Sequence, residues 1–239
     1  MKRVGTITRH LTHGYTAPSN TNNADAGQVR TGPKLSYEEV TKLSVKELQE
    51  RFGKAPADGL KTRGVNHVAF VSADMARTLW FWCEVLGFRL VKTLELPGDG
   101  QHFFIDGGND CAIAYFYFPN APKAVPGVSS IDVDALMTGK GFATAHGSVN
   151  HVAFNVSRDK LREYRKRILE AGVGMVSPIL YHSDKDPSGY SKTRDENTVW
   201  ESIYFVGPDN EYLEFAAQTE REFTPEQDIL HKPAIGNQD

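Results

Sequence analysis

Hydrophobic positions along this chain follow two periodicities that recur in the same order twice. Val65-Asn66-His67-Val68-Ala69-Phe70 alternates as a half-buried strand does, and it returns residue for residue as Val149-Asn150-His151-Val152-Ala153-Phe154, 84 positions later. Each copy is followed by a helical pattern. Asp74–Gly87 carries Ala76, Leu79, Trp80, Cys83 and Leu86 at helical spacing, with Asp74 as N-cap and Gly87 as stop. Ser157–Gly172 does the same with Leu161, Tyr164, Ile168 and Leu169. Three strand-like runs then follow each helix: Phe88–Leu96, Gln101–Ile105 and Cys111–Phe118 in the first half, and Val173–His182, Val199–Val206 and Glu211–Gln218 in the second.

The pattern predicts an α+β protein of two tandem βαβββ modules, too small to close separate sheets and expected to form one cupped mixed sheet. The modules span residues 61–148, which includes a long Pro/Gly-containing connection from Pro119, and 149–219. Residues 1–60 form an N-terminal extension, loosely packed to about residue 34. A helix follows over Ser36–Gly53, where Ser36 and Glu39 resemble a capping box and a break is expected near Ser44. Residues 220–239 read as an irregular tail.

Composition narrows the class. The chain has 239 residues and a formal net charge of −3, with no basic stripe, which argues against nucleic acid as a partner. No apolar run approaches the ~20 residues needed to span a bilayer, and no apolar signal segment follows Met1. Cys83 and Cys111 sit in apolar runs and read as buried free thiols. A cytoplasmic protein is expected.

If the faces bearing Phe70, Phe154 and Phe215 pack beneath the helices, strand alternation turns His67, His151 and Glu214 the other way, into the cup. Ala69, Ala153 and Ala216 lie beside them and leave room for a ligand. A single strand histidine is more often a hydrogen-bonded core residue than a ligand. Here the same histidine stands at the same point of duplicated strands, with a mid-strand carboxylate that would be costly to bury alone. His67, His151 and Glu214 are therefore candidate ligands of one metal, a two-histidine, one-carboxylate set.

With these residues in place, the chain resembles the vicinal oxygen chelate superfamily from about Gly64 to Thr219. Glu84-Val85-Leu86-Gly87-Phe88 and Gly207-Pro208-Asp209-Asn210-Glu211-Tyr212-Leu213-Glu214 are also typical of it. That superfamily includes glyoxalase I, fosfomycin- and bleomycin-resistance proteins and type I extradiol ring-cleaving dioxygenases. Glyoxalase-like members carry a fourth protein ligand in the last strand of module one. Aligning the last strands sets Ile113 opposite Glu214, and that strand holds no acid or amide.

The resemblance implies a ring-cleaving dioxygenase taking a catechol- or hydroquinone-like aromatic and O2, using Fe(II) or Mn(II), as a homodimer. Tyr204 stands ten residues before Glu214, the spacing of a substrate-contacting tyrosine in those enzymes. Two of their histidines are replaced, by Asn109 and Asp195. Asp195 is a candidate catalytic group, and Asn109, Arg194, His102 and His182 are candidate substrate contacts. His102, His146 or His182 could supply the missing acid–base group. The loop Ser183–Thr198 reads either as a lid or as a solvated surface loop. A glyoxalase-type lyase or isomerase, and a non-catalytic bleomycin-resistance-like binder, are the alternatives.

Overall fold

The structure, a computed structural model, describes residues 30–140, 142–183, 186 and 188–236; the expectation of loose packing over the first 29 residues lies outside them. The chain divides into two compact units, one of Met1–Leu60 with Thr224–Asp239, the other of Lys61–Phe223.

In the first unit two short helices follow one another, α1 (Tyr37–Lys42) and α2 (Val45–Phe52). Each starts with a complete capping box. The Ser36 and Ser44 hydroxyls accept from the Glu39 and Glu47 amides, and those glutamates accept from the serine amides in return. The break at Ser44 is thus a second helix start, and Leu48 is buried behind it. The C-terminal tail, expected to be irregular, contains a one-turn helix at Pro225–Asp228 and joins this unit: Gln49 Nε2 donates to the Ile229 carbonyl at 2.9 Å.

The second unit holds both modules. Module one contributes β1 (His67–Ser72), a helix α3 (Met75–Leu79) that runs into a π-helical turn at Trp80–Val85, then β2 (Leu90–Leu96), β3 (Gly100–Gly108) and β4 (Cys111–Tyr117). Helix α4 (Val133–Met137) lies in the connection. Module two contributes β5 (Val152–Asn155), helix α5 (Leu161–Glu170), β6 (Leu180–His182), β7 (Trp200–Val206) and β8 (Tyr212–Gln218). Each module makes its own four-stranded mixed sheet, ordered β1-β4-β3-β2 and β5-β8-β7-β6. In both, the first and last strands pair in parallel. The two βαβββ modules are as expected, but their sheets are separate within the chain rather than one continuous surface.

One core serves both modules. Phe70, Phe154 and Phe215 pack into it with Trp82, Tyr115, Phe205 and Leu213. Trp82 meets Phe154 edge-on at 5.6 Å, so the helical segment of module one covers strands of both halves. Asp74 caps α3 as expected, its side chain accepting from the Arg77 amide, and Gly87 takes the left-handed conformation that ends the segment. The buried stripe is offset from the expected one, starting at Met75, before the π turn. Met75, Thr78, Phe81, Trp82 and Val85 face the core, while Ala76 and Trp80 of the expected stripe are exposed. In α5, Leu161 and Ile168 are buried, but Leu169 is 44% exposed. Residues 173–179 lack strand structure apart from an isolated bridge between Val176 and Phe205, so β6 is only three residues long.

Register corrects the alignment of the two modules. Ala69 pairs with Ala114 as Ala153 pairs with Glu214, so Ala114, not Ile113, occupies the place of Glu214. Ile113 points into the core. The place still offers no donor.

Candidate functional site

Module two turns the face opposite its core toward a cavity of about 650 Å3, within the range of small-molecule sites. Strand alternation sets this floor. Leu213, Phe215 and Ala217 go to the core, so Tyr212 and Glu214 face the cavity. On β7, Tyr204 pairs directly with Glu214 and shares its face. His151, one residue before β5, and His182, at the end of β6, also line the cavity.

Glu214 is only 5% exposed, and its neighbours are imidazoles. His151 Nε2 lies 3.2 Å from Oε2, and His182 Nε2 lies 3.8 Å from Oε1. Burial pushes the Glu214 carboxyl up, but His151 and Ser202 beside it more than offset this, and its pKa falls below the ordinary value. His151 is oriented from behind. Its Nδ1 lies 2.8 Å from Asn150 Oδ1, which leaves Nε2 free to face Glu214. Burial pulls His182 below its ordinary pKa, against the attraction of Glu214. Its Nε2 is also 3.2 Å from the Tyr204 hydroxyl. Burial, then the Glu214 charge, pushes the Tyr204 phenol far up, so Tyr204 keeps its proton. Its ring stacks on Tyr212 at 5.1 Å.

The cavity's cover comes from the connection between modules. Ile131 is fully buried, and Asn210 Nδ2 donates to its carbonyl at 2.9 Å. Asn150 Nδ2 donates to the Phe142 carbonyl at 2.8 Å. The residue that orients His151 therefore also anchors the cover. Gly189 and Tyr190 line the cavity from the loop after β6.

Other expected site residues lie elsewhere. His67 is on the open face of the first sheet, where its Nδ1 meets Asn66 Oδ1 at 2.8 Å and its ring stands edge-on to Phe104. It is exposed and does not line the Glu214 cavity. His102 belongs to the same open face. It stacks on Phe116 at 3.7 Å, and its Nδ1 lies 3.1 Å from the Tyr115 carbonyl oxygen. Asn109 sits in the β3–β4 turn with a left-handed backbone. Asp195 organises its own loop. Its carboxylate accepts from Ser183 Oγ at 2.8 Å and from the Asn197 amide at 2.8 Å, which hold it below the ordinary carboxyl range. Arg194 pairs with Glu220 at 2.6 Å and Glu201 at 3.5 Å. His146 is exposed and does not line the cavity. Among the described residues, no group of three or more His, Cys, Asp or Glu side chains is placed to hold a metal ion.

The donors that do meet suit a hard or borderline divalent ion: one imidazole nitrogen and one carboxylate oxygen, with no sulfur. Two ligands bound at ~2.1 Å in cis positions stand roughly 3 Å apart, which the 3.2 Å between His151 and Glu214 matches. One chain thus offers an oriented pair of donors, and the third candidate ligand, His67, stands on the other sheet. The sequence motif contained the signal for Asn66 and Asn150, since both repeat copies read Asn-His. Phe142, Tyr190, Trp200 and Tyr212 carried no comparable signal.

A curated relative, named "Putative ring-cleaving dioxygenase MhqE", from Bacillus subtilis (strain 168), is 26% identical over 126 residues. That stretch is 51% of this chain and 36% of the relative, so the chain spans little more than a third of that protein's length. Among solved structures, SMU.1112c matches with a TM-score of 0.47 at 18% identity, covering 65% of this chain and 99% of its own. The fosfomycin resistance protein FosX from Listeria monocytogenes, solved with Mn(II) and sulfate, matches with a TM-score of 0.42 at 17% identity, covering 67% and 96%. Residues 64–210 match the Glyoxalase/Bleomycin resistance protein/Dioxygenase superfamily, and with its paired βαβββ modules this chain belongs to that superfamily.

Proposed function

We propose that this chain is the subunit of a metal-dependent dioxygenase that opens a catechol- or hydroquinone-like ring with O2. The observation that carries the reading is the 3.2 Å approach of His151 Nε2 to the buried Glu214 carboxylate on the floor of an aromatic-walled cavity. The likeness to MhqE supports the ring-cleaving class. Ala114, at the place equivalent to Glu214, supplies no fourth carboxylate of the glyoxalase kind.

His151 and Glu214 would hold Fe(II) or Mn(II). His67 of a second copy would complete the set, because its own chain leaves it on an uncovered sheet face. The protein is therefore a homodimer in this reading, with each site shared between copies. Its two free cysteines suit the reducing cytoplasm. A divalent ion, when bound, supplies positive charge that favours the deprotonated form of a chelating hydroxyl.

The chain's own groups do the rest. Tyr204 keeps its proton and donates a hydrogen bond to a substrate oxygen. His182, 3.2 Å from that hydroxyl and held neutral by burial, is placed to take up or return a proton through it. Tyr212 and Trp200 would flank the ring, with Phe142 as part of the cavity wall. Both atoms of O2 enter the opened product, so no external reductant is needed.

Anaerobic purification with elemental analysis, followed by oxygen uptake on a panel of catechols and hydroquinones, tests the reading. Bound iron or manganese with uptake supports it. Bound metal without uptake on any of them moves the protein to a lyase or isomerase, and absence of metal moves it to a binding protein.

A further inference from the structure

The cavity over Glu214 has a polar floor, aromatic walls and one cation at its edge. Among the described residues, Lys140 is the sole Lys or Arg that lines it. Lys140 is exposed, and its side chain has no hydrogen bond or ion pair with any described residue. Its backbone is held from the α4 side. Helix α4 starts with Asp132 accepting from the Ala135 amide, and the Lys140 amide itself donates to the Ala135 carbonyl at 2.8 Å. Two residues on, the Phe142 carbonyl is tied to Asn150.

An aromatic cavity that is polar at one end and cationic at its rim is built for a ligand with two ends. A ring bearing adjacent oxygens fits the His151–Glu214 floor. Elsewhere in module two, Arg158 and Arg194 both pair with Glu201 and Glu220. Among the described residues no carboxylate pairs with Lys140, and an anionic group on the ligand would balance its charge.

We propose that the substrate is a hydroxylated aromatic carrying a carboxylate or a similar anionic substituent, and that Lys140 selects it. The inference rests on the reading of the cavity as the substrate site. It does not require that the ring be cleaved.

The test is anaerobic titration of the metal-loaded protein with 3,4-dihydroxybenzoate and with catechol, followed by tryptophan fluorescence or calorimetry. Wild-type protein should bind the acid about five- to tenfold more tightly than catechol, as one charge-assisted contact allows. Lys140→Met should abolish that preference while catechol affinity stays within about twofold, and Lys140→Arg should keep it. Equal affinity for the two ligands in wild type, equal weakening of both in Lys140→Met, or binding of neither overturns the proposal. Oxygen uptake, measured separately, decides the ring-cleavage reading. A preference for the acid without uptake leaves Lys140 as the selector and removes the dioxygenase, whereas uptake with no such preference does the reverse.

Discussion

Asn150 Oδ1 accepts from His151 Nδ1 at 2.8 Å, and Asn66 stands in the same relation to His67 at the same distance. The duplicated motif therefore pairs each candidate ligand histidine with the group that fixes its tautomer. The Asn150 amide orientation is set independently, because its Nδ2 donates to the Phe142 carbonyl. Replacing Asn150 with Ala should weaken Mn(II) binding by about 10- to 100-fold, as loss of an outer-shell partner does. Asn150→Asp keeps an acceptor and should retain most of the affinity. Metal titration of the three proteins checks this, and unchanged affinity in Asn150→Ala would remove the assigned role.

The two modules are joined by a buried polar chain. Trp82 Nε1 donates to the Tyr115 hydroxyl at 3.0 Å, and that hydroxyl donates to Glu211 Oε1 at 2.7 Å. Tyr115→Phe removes both bonds and strands two buried groups, which should cost roughly 1–3 kcal/mol. Urea denaturation measures it, and a loss below about 0.5 kcal/mol would mean that water takes over the bonds.

Glu211 makes this junction sensitive to pH. Burial pushes its carboxyl up, against hydrogen bonds from Tyr115 and the backbone. Because the folded-state value is raised, its proton is held more tightly in the folded chain. The resulting stabilisation is full below the ordinary carboxyl range and is lost as pH rises through the raised value. The stability of wild type relative to Glu211→Gln should therefore fall as pH rises from about 4 and then level off. Paired urea midpoints across that span report the difference, and a gap that widens with pH would contradict the assignment.

Much of this architecture can be read from particular residues. The repeated Asn-His-Val-Ala-Phe fixed two βαβββ units, and Ser36/Glu39 marked the first helix start. Alternation about Phe70, Phe154 and Phe215 assigned the faces correctly, because a half-buried strand admits only one register against a helix. Other features depend on contacts that sequence spacing does not encode. The buried stripe of this helix starts at Met75 rather than Ala76, an offset set by packing against both modules. Asp195 has the spacing of a catalytic residue, yet it satisfies hydroxyls and amides of its own loop. Arg194 suits a substrate carboxylate chemically, but Glu201 and Glu220 already pair with it. Where His67 lies relative to Glu214 is decided by how two sheets pack, a long-range relation outside the reach of local pattern.

That relation is also the most direct place to test the proposed sharing of a metal site between two copies. His67→Ala and Glu214→Ala proteins, each deficient in Mn(II) binding when alone, are mixed, unfolded and refolded together. A site built from His67 of one copy with His151 and Glu214 of the other leaves one intact centre in every mixed dimer. Mn(II) binding should then return to about a quarter of the wild-type stoichiometry, as random pairing of equal amounts dictates. Either variant binding Mn(II) as wild type does, or a mixture that recovers none, would contradict a metal centre shared between two copies.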